Sequence, residues 1–290
     1  VPKVRIITDS AATFEEPQVV EDYNVTVVPL IIDIDGEALE DGIEVDAQVI
    51  IDRLRQGEAP PRISAPKVEV FEEVYAQLAR TTDQILILTH SQQFTDTFAN
   101  AHAARAGFLG RCDIVVIDSR TTSAGLGYLV EAAAEAAFAG HSLDQVVHTV
   151  RGVIPRIYSV FYVSRLDYLQ RAGLLGETQA LLGAMLDIKP ILTVEDGRLI
   201  TMEKARTHAR AVDKMIEFVA EFTDIERLCI LQNTLRATEN TRMLQDRLAL
   251  EFSRLHSPIM LFDPLLASRL GPEGMGLAIL EGAAQDGGFA

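Results

Sequence analysis

Val4-Arg5-Ile6-Ile7-Thr8-Asp9-Ser10 is a short apolar run that stops at an Asp-Ser pair, and Ile114-Val115-Val116-Ile117-Asp118-Ser119 repeats the form later in the chain. Two further apolar runs, Val25–Ile32 and Ile85–Leu88, are also too short for helices. Between these runs lie stretches with helical spacing: Glu15–Asp22, Asp46–Gln56, Lys67–Arg80, Thr95–Phe108, Thr122–Ala139 and Leu143–Val153. Strand alternating with helix predicts an α/β domain, a mainly parallel sheet with helices on both faces. Ligand-binding groups in such sheets gather on the loops that leave the carboxyl ends of the strands. Ser10 and Ser119, which close the two Asp-Ser exits, are therefore expected to support a pocket, although Asp and Ser also shape turns and cap helices routinely.

The character changes near Arg156. An apolar run at Ile157–Val163 is followed by strand candidates Ile188–Val194, Leu199–Glu203, Leu228–Gln232, Ile259–Phe262 and Gly276–Leu280. Helical spacing recurs near Thr178–Leu186, Thr207–Glu221 and Thr238–Leu250. Asp196-Gly197 between two of these strands reads as a hairpin turn, which makes the second half a mixed α+β layer. The expected division is residues 1–155 and 156–290, two closely joined domains with a ligand cleft between them.

Composition narrows the function. Acidic residues outnumber basic ones by 42 to 26, for a formal net charge of -16, and this field repels nucleic acids and anionic membrane surfaces. No apolar run reaches the roughly 18 residues of a membrane span, and no signal peptide is visible. Cys112 and Cys229 stand far apart with no zinc-site spacing, as expected of buried thiols in a cytoplasmic protein.

Motifs for common chemistries are missing. Gly125-Leu126-Gly127 lacks the third glycine of a dinucleotide fingerprint, and neither a phosphate loop nor a G-x-S-x-G elbow occurs. The six histidines form no metal-ligand spacing, so no metal or cofactor is expected. What remains is a set of hydroxyls on predicted strand exits. Ser64 precedes Pro66 at a predicted helix start, where it either caps the helix or, with the helix dipole, holds a carboxylate. Ser91 follows the strand Ile85–Leu88, and Thr95 is the better cap for the next helix, which leaves Ser91 free. His90 beside Ser91 invites a nucleophile reading, but sequence neighbours rarely align for catalysis and no orienting third group is visible, so a spacer role is expected. Lys204 and Arg206 fall on one side of an extended segment, either as a solvated face or as an anion site.

Along its whole length the sequence resembles the DegV family of bacterial fatty-acid-binding proteins. Ile7-Thr8-Asp9-Ser10 resembles the family's TDS, Val28-Pro29-Leu30 its VPL, Ile63-Ser64-Ala65-Pro66 its TSQP loop, and Ser91 to Phe98 its SSxLSGTY loop. Val116-Ile117-Asp118-Ser119 is similar to its strand ending in DS. Leu166-Asp167-Tyr168-Leu169 with Ala172-Gly173 resembles LxYLxxGGR, Leu186 to Leu192 resembles LNIKPIL, and Lys204-Ala205-Arg206-Thr207 resembles KxRT. The resemblance implies two α/β domains with one long-chain fatty acid buried between them, its carboxylate held by hydroxyls of the TSQP and SSxLSGT loops. It further implies a non-catalytic carrier that presents the fatty acid to a separate ATP-dependent kinase, which makes acyl-phosphate for phospholipid synthesis.

Four positions depart from the family pattern. Ile63 stands for the TSQP threonine, Gln92 for the second serine, Leu174 for the arginine of GGR, and Arg269 for the histidine of the late HxGPG motif. On the resemblance, Ser64 and Ser91 then hold the carboxylate with Gln92 as an extra donor, while Arg206 and Arg269 contact the headgroup or a phosphate. The apolar stretch Leu174–Leu186 is expected to cover the acyl tail, each buried methylene contributing about 0.8 kcal/mol. The alternative is a hydrolase or transferase on a small acyl substrate, with Ser91 or Ser10 as nucleophile.

Overall fold

A computed structural model of the chain describes residues 3–176, 185–186, 188–252 and 255–283. Its first sheet is built from β1 (Val4–Asp9), β2 (Thr26–Val28), β6 (Gln84–Thr89) and β7 (Asp113–Asp118), in the order β2-β1-β6-β7 with every pairing parallel. All of β1 and nearly all of β6 is buried, which is why these strands read as continuous apolar runs rather than alternating ones. Period-two geometry sorts their side chains. Ile7, Ile85 and Ile87 pack with Phe71, Tyr75 and Leu78 of α3 (Val68–Leu78) and Ala101 and Ala104 of α4 (Thr97–Ala104). Ile6, Leu86 and Leu88 face the other way, into the cluster of α5 (Ser123–Phe138) and α6 (Leu143–Val153). The two glycines of the incomplete fingerprint lie in α5. At Gly127 an added Cβ would meet the Thr13 carbonyl oxygen at 2.0 Å, so this glycine permits a close helix approach rather than cradling a phosphate.

The run Val25–Ile32, expected as one strand, is two. β2 stays in the parallel sheet, whereas β3 (Ile31–Ile34) pairs antiparallel with β4 (Glu37–Glu40) and β5 (Arg62–Ser64) in a separate three-stranded sheet. Pro29 lies at the break, where it has no N–H for a ladder, and the next N–H, that of Leu30, donates to Ser10 Oγ at 2.9 Å. The helix expected over Glu15–Asp22 shrinks to one turn, α1 (Val19–Asp22). Pro17 biases Glu16 away from helical conformation. The helix α2 (Ala47–Arg55) matches its expected span, with Asp46 accepting from the Val49 N–H as its cap.

The second sheet has six strands: β8 (Ile157–Tyr162), β9 (Lys189–Glu195), β10 (Arg198–Ala205), β11 (Ile225–Gln232), β12 (Ile259–Leu261) and β13 (Met275–Glu281). Their order is β10-β9-β8-β13-β11-β12, and only the β11–β12 pair is parallel. Asp196 and Gly197 turn the β9–β10 hairpin with φ of 46° and 79°, the pair of positive values a type I′ turn requires. Helices α8 (His208–Val219) and α9 (Glu239–Glu251) cover one face of this sheet. Its other face, with Phe161, Leu192, Leu231 and Ala278, joins Leu126, Leu129 and Val130 of α5 in one shared core. Two short helices not foreseen in the sequence, α7 (Leu166–Arg171) and α10 (Pro264–Leu270), complete that core. Neither is long enough to display a repeating apolar stripe. The expected helix near Thr178–Leu186 and most of the proposed tail cover fall outside the described residues; Leu174 packs on the shared core, and Met185 and Leu186 are exposed. No helix among the described residues is long and apolar enough to cross a membrane.

Candidate functional site

The exits of β1 and β6 meet around a buried imidazole. Asp9 Oδ1 accepts from the Ala11 N–H at 3.1 Å and Oδ2 from the His90 N–H at 2.8 Å, so this carboxylate ties two strand ends together. The same Oδ2 lies 2.9 Å from His90 Nδ1, both side chains being almost fully buried. On the other side of the ring, Nε2 is 2.9 Å from Thr95 Oγ1, and Thr95 Oγ1 is 2.8 Å from Thr97 Oγ1. The Phe94 ring stacks over His90 at a centroid distance of 6.4 Å.

Arg269 of α10 closes the arrangement from the second domain. Its guanidinium lies 4.7 Å above the Phe94 ring and donates to the Phe94 carbonyl at 3.1 Å. Burial lowers its pKa, with the Asp263 charge opposing, yet among the described residues no carboxylate lies within ion-pair distance of it. Asp263, the cap of α10, is itself buried; burial raises its pKa to about 6, against the Leu266 N–H bond and the nearby His90. Asp41 is raised to about 7 by burial, partly offset by its bond from Ser10.

Arg269 also lines a cavity of about 320 Å³ between the domains, together with Ala59, Pro60, Pro61, Arg62, Ile63, Arg171, Ala172, Leu265 and Ser268. That volume is at the lower end of the ~300–1,000 Å³ range of small-molecule sites. Three arginines and a wall of small apolar side chains suit a ligand with an anionic head and an apolar body. Among the described residues no cluster of His, Cys, Asp and Glu could hold a metal ion.

The structure distributes the sequence candidates unevenly. Ser91 is not free as expected: its fully buried hydroxyl donates to the Gly197 carbonyl at 2.8 Å and accepts from the Gln93 N–H at 3.2 Å. The hairpin tip of the second domain is seated there, and a Cβ on Gly197 would meet Ser91 Oγ at 2.2 Å. Gln92 is exposed. Ser64 does not cap α3, whose cap position is Lys67; it ends β5 half-buried, and its neighbour Ile63, not Ser64, lines the cavity. Thr95 is not the cap position of α4, which starts after Asp96, but its hydroxyl accepts from the Thr97 N–H of the first turn at 3.3 Å and lies 2.9 Å from His90 Nε2. Ser10 donates to Asp41 at 2.6 Å, and Ser119 bonds within its own turn to Thr121 at 3.2 Å. Arg206 is exposed just past β10 and does not line the cavity of Arg269. The nucleophile pairing is not assembled either, since the His90 ring faces Asp9 and Thr95 rather than Ser91 or Ser10. Sequence reasoning missed Asp9, Phe94 and Thr95 as a unit, although a hydroxyl standing directly before a predicted helix was the available signal for Thr95.

A family model described as an uncharacterised protein of the DegV family matches residues 3–282. A DegV domain-containing protein of Caldanaerobacter subterraneus is 37% identical over 217 residues, 75% of this chain and 76% of that protein. One from Streptomyces coelicolor is 34% identical over 247 residues, 84% of this chain and 86% of its own. Among solved structures, a DegV family protein of Thermus thermophilus, described by its fatty acid binding, superposes with a TM-score of 0.82 at 28% identity, covering 96% of this chain and 99% of that one. A fatty acid binding DegV family protein of Streptococcus agalactiae does so with a TM-score of 0.85 at 25% identity over 98% and 100% of the two chains.

Proposed function

The chain belongs to the DegV family, and from that premise we propose that it binds a long-chain fatty acid between its two domains without itself performing catalysis. The observation that carries the reading is Arg269: a half-buried guanidinium with no carboxylate partner among the described residues, lining an interdomain cavity. A desolvated cation in such a place is stabilised by an arriving anion. The fatty-acid binding of the Thermus thermophilus and Streptococcus agalactiae relatives supports the same ligand class.

In this proposal the Arg269 guanidinium, which lines the cavity, receives the carboxylate, with Ser64 the next residue along β5 from the cavity-lining Ile63. Ser91 acts one step back, holding the loop that carries Phe94 and Thr95 against the hairpin tip, and Gln92 is left at the surface as an accessory donor. Arg62 and Arg171, both exposed at the cavity, would face a kinase partner that takes the head group, with Arg206 farther out on the same partner's path. The proposed boundary between the domains remains 155/156, just before β8.

Gentle organic extraction of the purified protein, followed by mass spectrometry, is expected to release a long-chain fatty acid. Arg269→Ala should weaken binding of a fluorescent fatty acid about tenfold to a hundredfold, the value of a charge-assisted hydrogen bond of ~1.5–3 kcal/mol. An extract without lipid, together with no saturable uptake of added fatty acid, sinks the reading.

A further inference from the structure

Arg269 reaches the interdomain cavity from α10 of the second domain, yet two groups that hold its guanidinium belong to Phe94 of the first. Nη2 donates to the Phe94 carbonyl at 3.1 Å, and the guanidinium carbon lies 4.7 Å from the centroid of the Phe94 ring. Neither contact neutralises the cation. A carboxylate in the same place would fix the side chain but cancel its charge, whereas a carbonyl and a ring face leave the charge and the remaining N–H donors of the fork for a ligand.

Phe94 is held in turn by the tip of the β9–β10 hairpin. Its N–H donates to the Ser91 carbonyl at 3.0 Å, and the Ser91 hydroxyl accepts from the Gln93 N–H at 3.2 Å while donating to the Gly197 carbonyl at 2.8 Å. Arg198 Nε donates to Gln93 Oε1 at 2.9 Å. The loop Ser91–Phe94 of the first domain thus contacts two parts of the second, the hairpin tip through Ser91 and Gln93 and α10 through Phe94. The tip has no slack, since an added Cβ on Gly197 would meet Ser91 Oγ at 2.2 Å.

We infer, resting on the fatty-acid reading above, that Phe94 is the positioning residue for Arg269 and that Ser91 acts through it, so that the preference for an acid over an alcohol head group is set by a loop that does not itself line the cavity. An arginine left to itself samples many rotamers, and ordering it when a ligand arrives lowers affinity. Held beforehand at the cavity, Arg269 meets a carboxylate without that cost. A neutral alcohol draws little from a cation, so its binding depends on the apolar wall and little on where Arg269 points. Arg62 and Arg171 are rival anchors, exposed at the same cavity, and the test has to separate them from Arg269.

Hexadecanoate and hexadecanol, each competed against a fluorescent fatty acid, give two inhibition constants whose ratio is the preference for acid in each variant. Phe94→Leu keeps the carbonyl and an apolar side chain but removes the ring. It should reduce the preference about twofold to tenfold, the factor for ordering one long side chain, with hexadecanol binding unchanged, and Phe94→Tyr should restore it. Ser91→Ala should act in the same sense by a smaller factor, and it decides the matter where Phe94→Leu does not fold. Arg269→Met should lose most of the preference, and beside it Phe94→Leu and Ser91→Ala should change the ratio no further. An unchanged ratio in Phe94→Leu, a loss that falls equally on acid and alcohol, or a loss that persists in full beside Arg269→Met overturns the positioning role and leaves fatty-acid binding standing. A preference that survives Arg269→Met puts the head group on Arg62 or Arg171 and overturns it too. Absence of saturable binding of either ligand by the parent overturns the fatty-acid reading and the positioning role together.

Discussion

The exits of β1 and β7 carry the same dipeptide, Asp9-Ser10 and Asp118-Ser119, at the ends of two parallel strands, yet they do different work. Asp118 is half-buried and accepts the backbone N–H groups of Gln92 at 3.3 Å and Arg120 at 2.9 Å. Asp9 accepts comparable backbone N–H groups but lies under His90 in the seam between the domains. Ser119 closes its own turn, whereas Ser10 joins two sheets by holding Leu30 and Asp41. The local turn chemistry is shared. What differs is the dielectric around it, and that difference turns one exit into part of a candidate binding site.

The largest test of this contrast is removal of the two carboxylates. Asp9→Ala leaves the buried Ala11 and His90 backbone N–H groups without their acceptor, and should cost about 2–6 kcal/mol. Asp118→Ala, whose N–H groups can turn to water, should cost ~1 kcal/mol or less. Urea denaturation of both variants gives the ratio, and equal losses would break the comparison.

The two serines should separate less widely. Ser10→Ala strands the Leu30 N–H and removes a hydrogen bond from buried Asp41, for about 1–3 kcal/mol, while Ser119→Ala loses one turn bond worth roughly 0.5–1.5 kcal/mol. Thermal melting of the pair orders them.

The third test is a slope. Asp41 and Asp263 titrate near 7 and 6 in the folded chain, above the ~3.9 of an unfolded aspartate. The native state therefore holds more protons than the unfolded one between those limits, and stability falls as pH rises from about 4 toward 7 through these two groups. Asp41→Asn should flatten the upper part of that fall. Denaturation midpoints measured across this range would show it, and an unchanged slope would mean Asp41 ionises in the fold as readily as in water.

The parallel sheet was legible because its strands are buried on both faces and so stand out as Ile6-Ile7, Ile85–Leu88 and Ile114–Ile117. The hairpin at Asp196-Gly197 was legible because positive φ at two successive positions restricts the residues that fit. Val25–Ile32 was misleading because its apolar character is nearly continuous; Pro29 marks where the chain leaves one sheet for another, and the Ser10 bond to Leu30 holds it there.

The candidate site was legible by region rather than by residue. Arg269 and the Ser91–Phe98 loop were marked by their likeness to a family motif, but the roles within the loop went elsewhere. Ser91 was spent on a glycine more than a hundred residues away in sequence, and Thr95, expected to cap a helix, shares its hydroxyl between the first N–H of α4 and His90. Such assignments are contests between partners for a single hydroxyl, and long-range packing supplies the partner that wins.

The sequence by itself determined the class of fold, the position of the strand exits and the chain's acidic character, because these follow from the periodicity, turn chemistry and composition of neighbouring residues. Only the tertiary structure decided that Asp9, His90 and Thr95 form one chain of contacts, that Arg269 lacks a carboxylate partner among the described residues, and that Ser91 binds a hairpin rather than standing open. Those outcomes depend on burial and on distances of a few ångströms between residues far apart in the chain, where a buried polar group must find a partner and the fold decides which one is near.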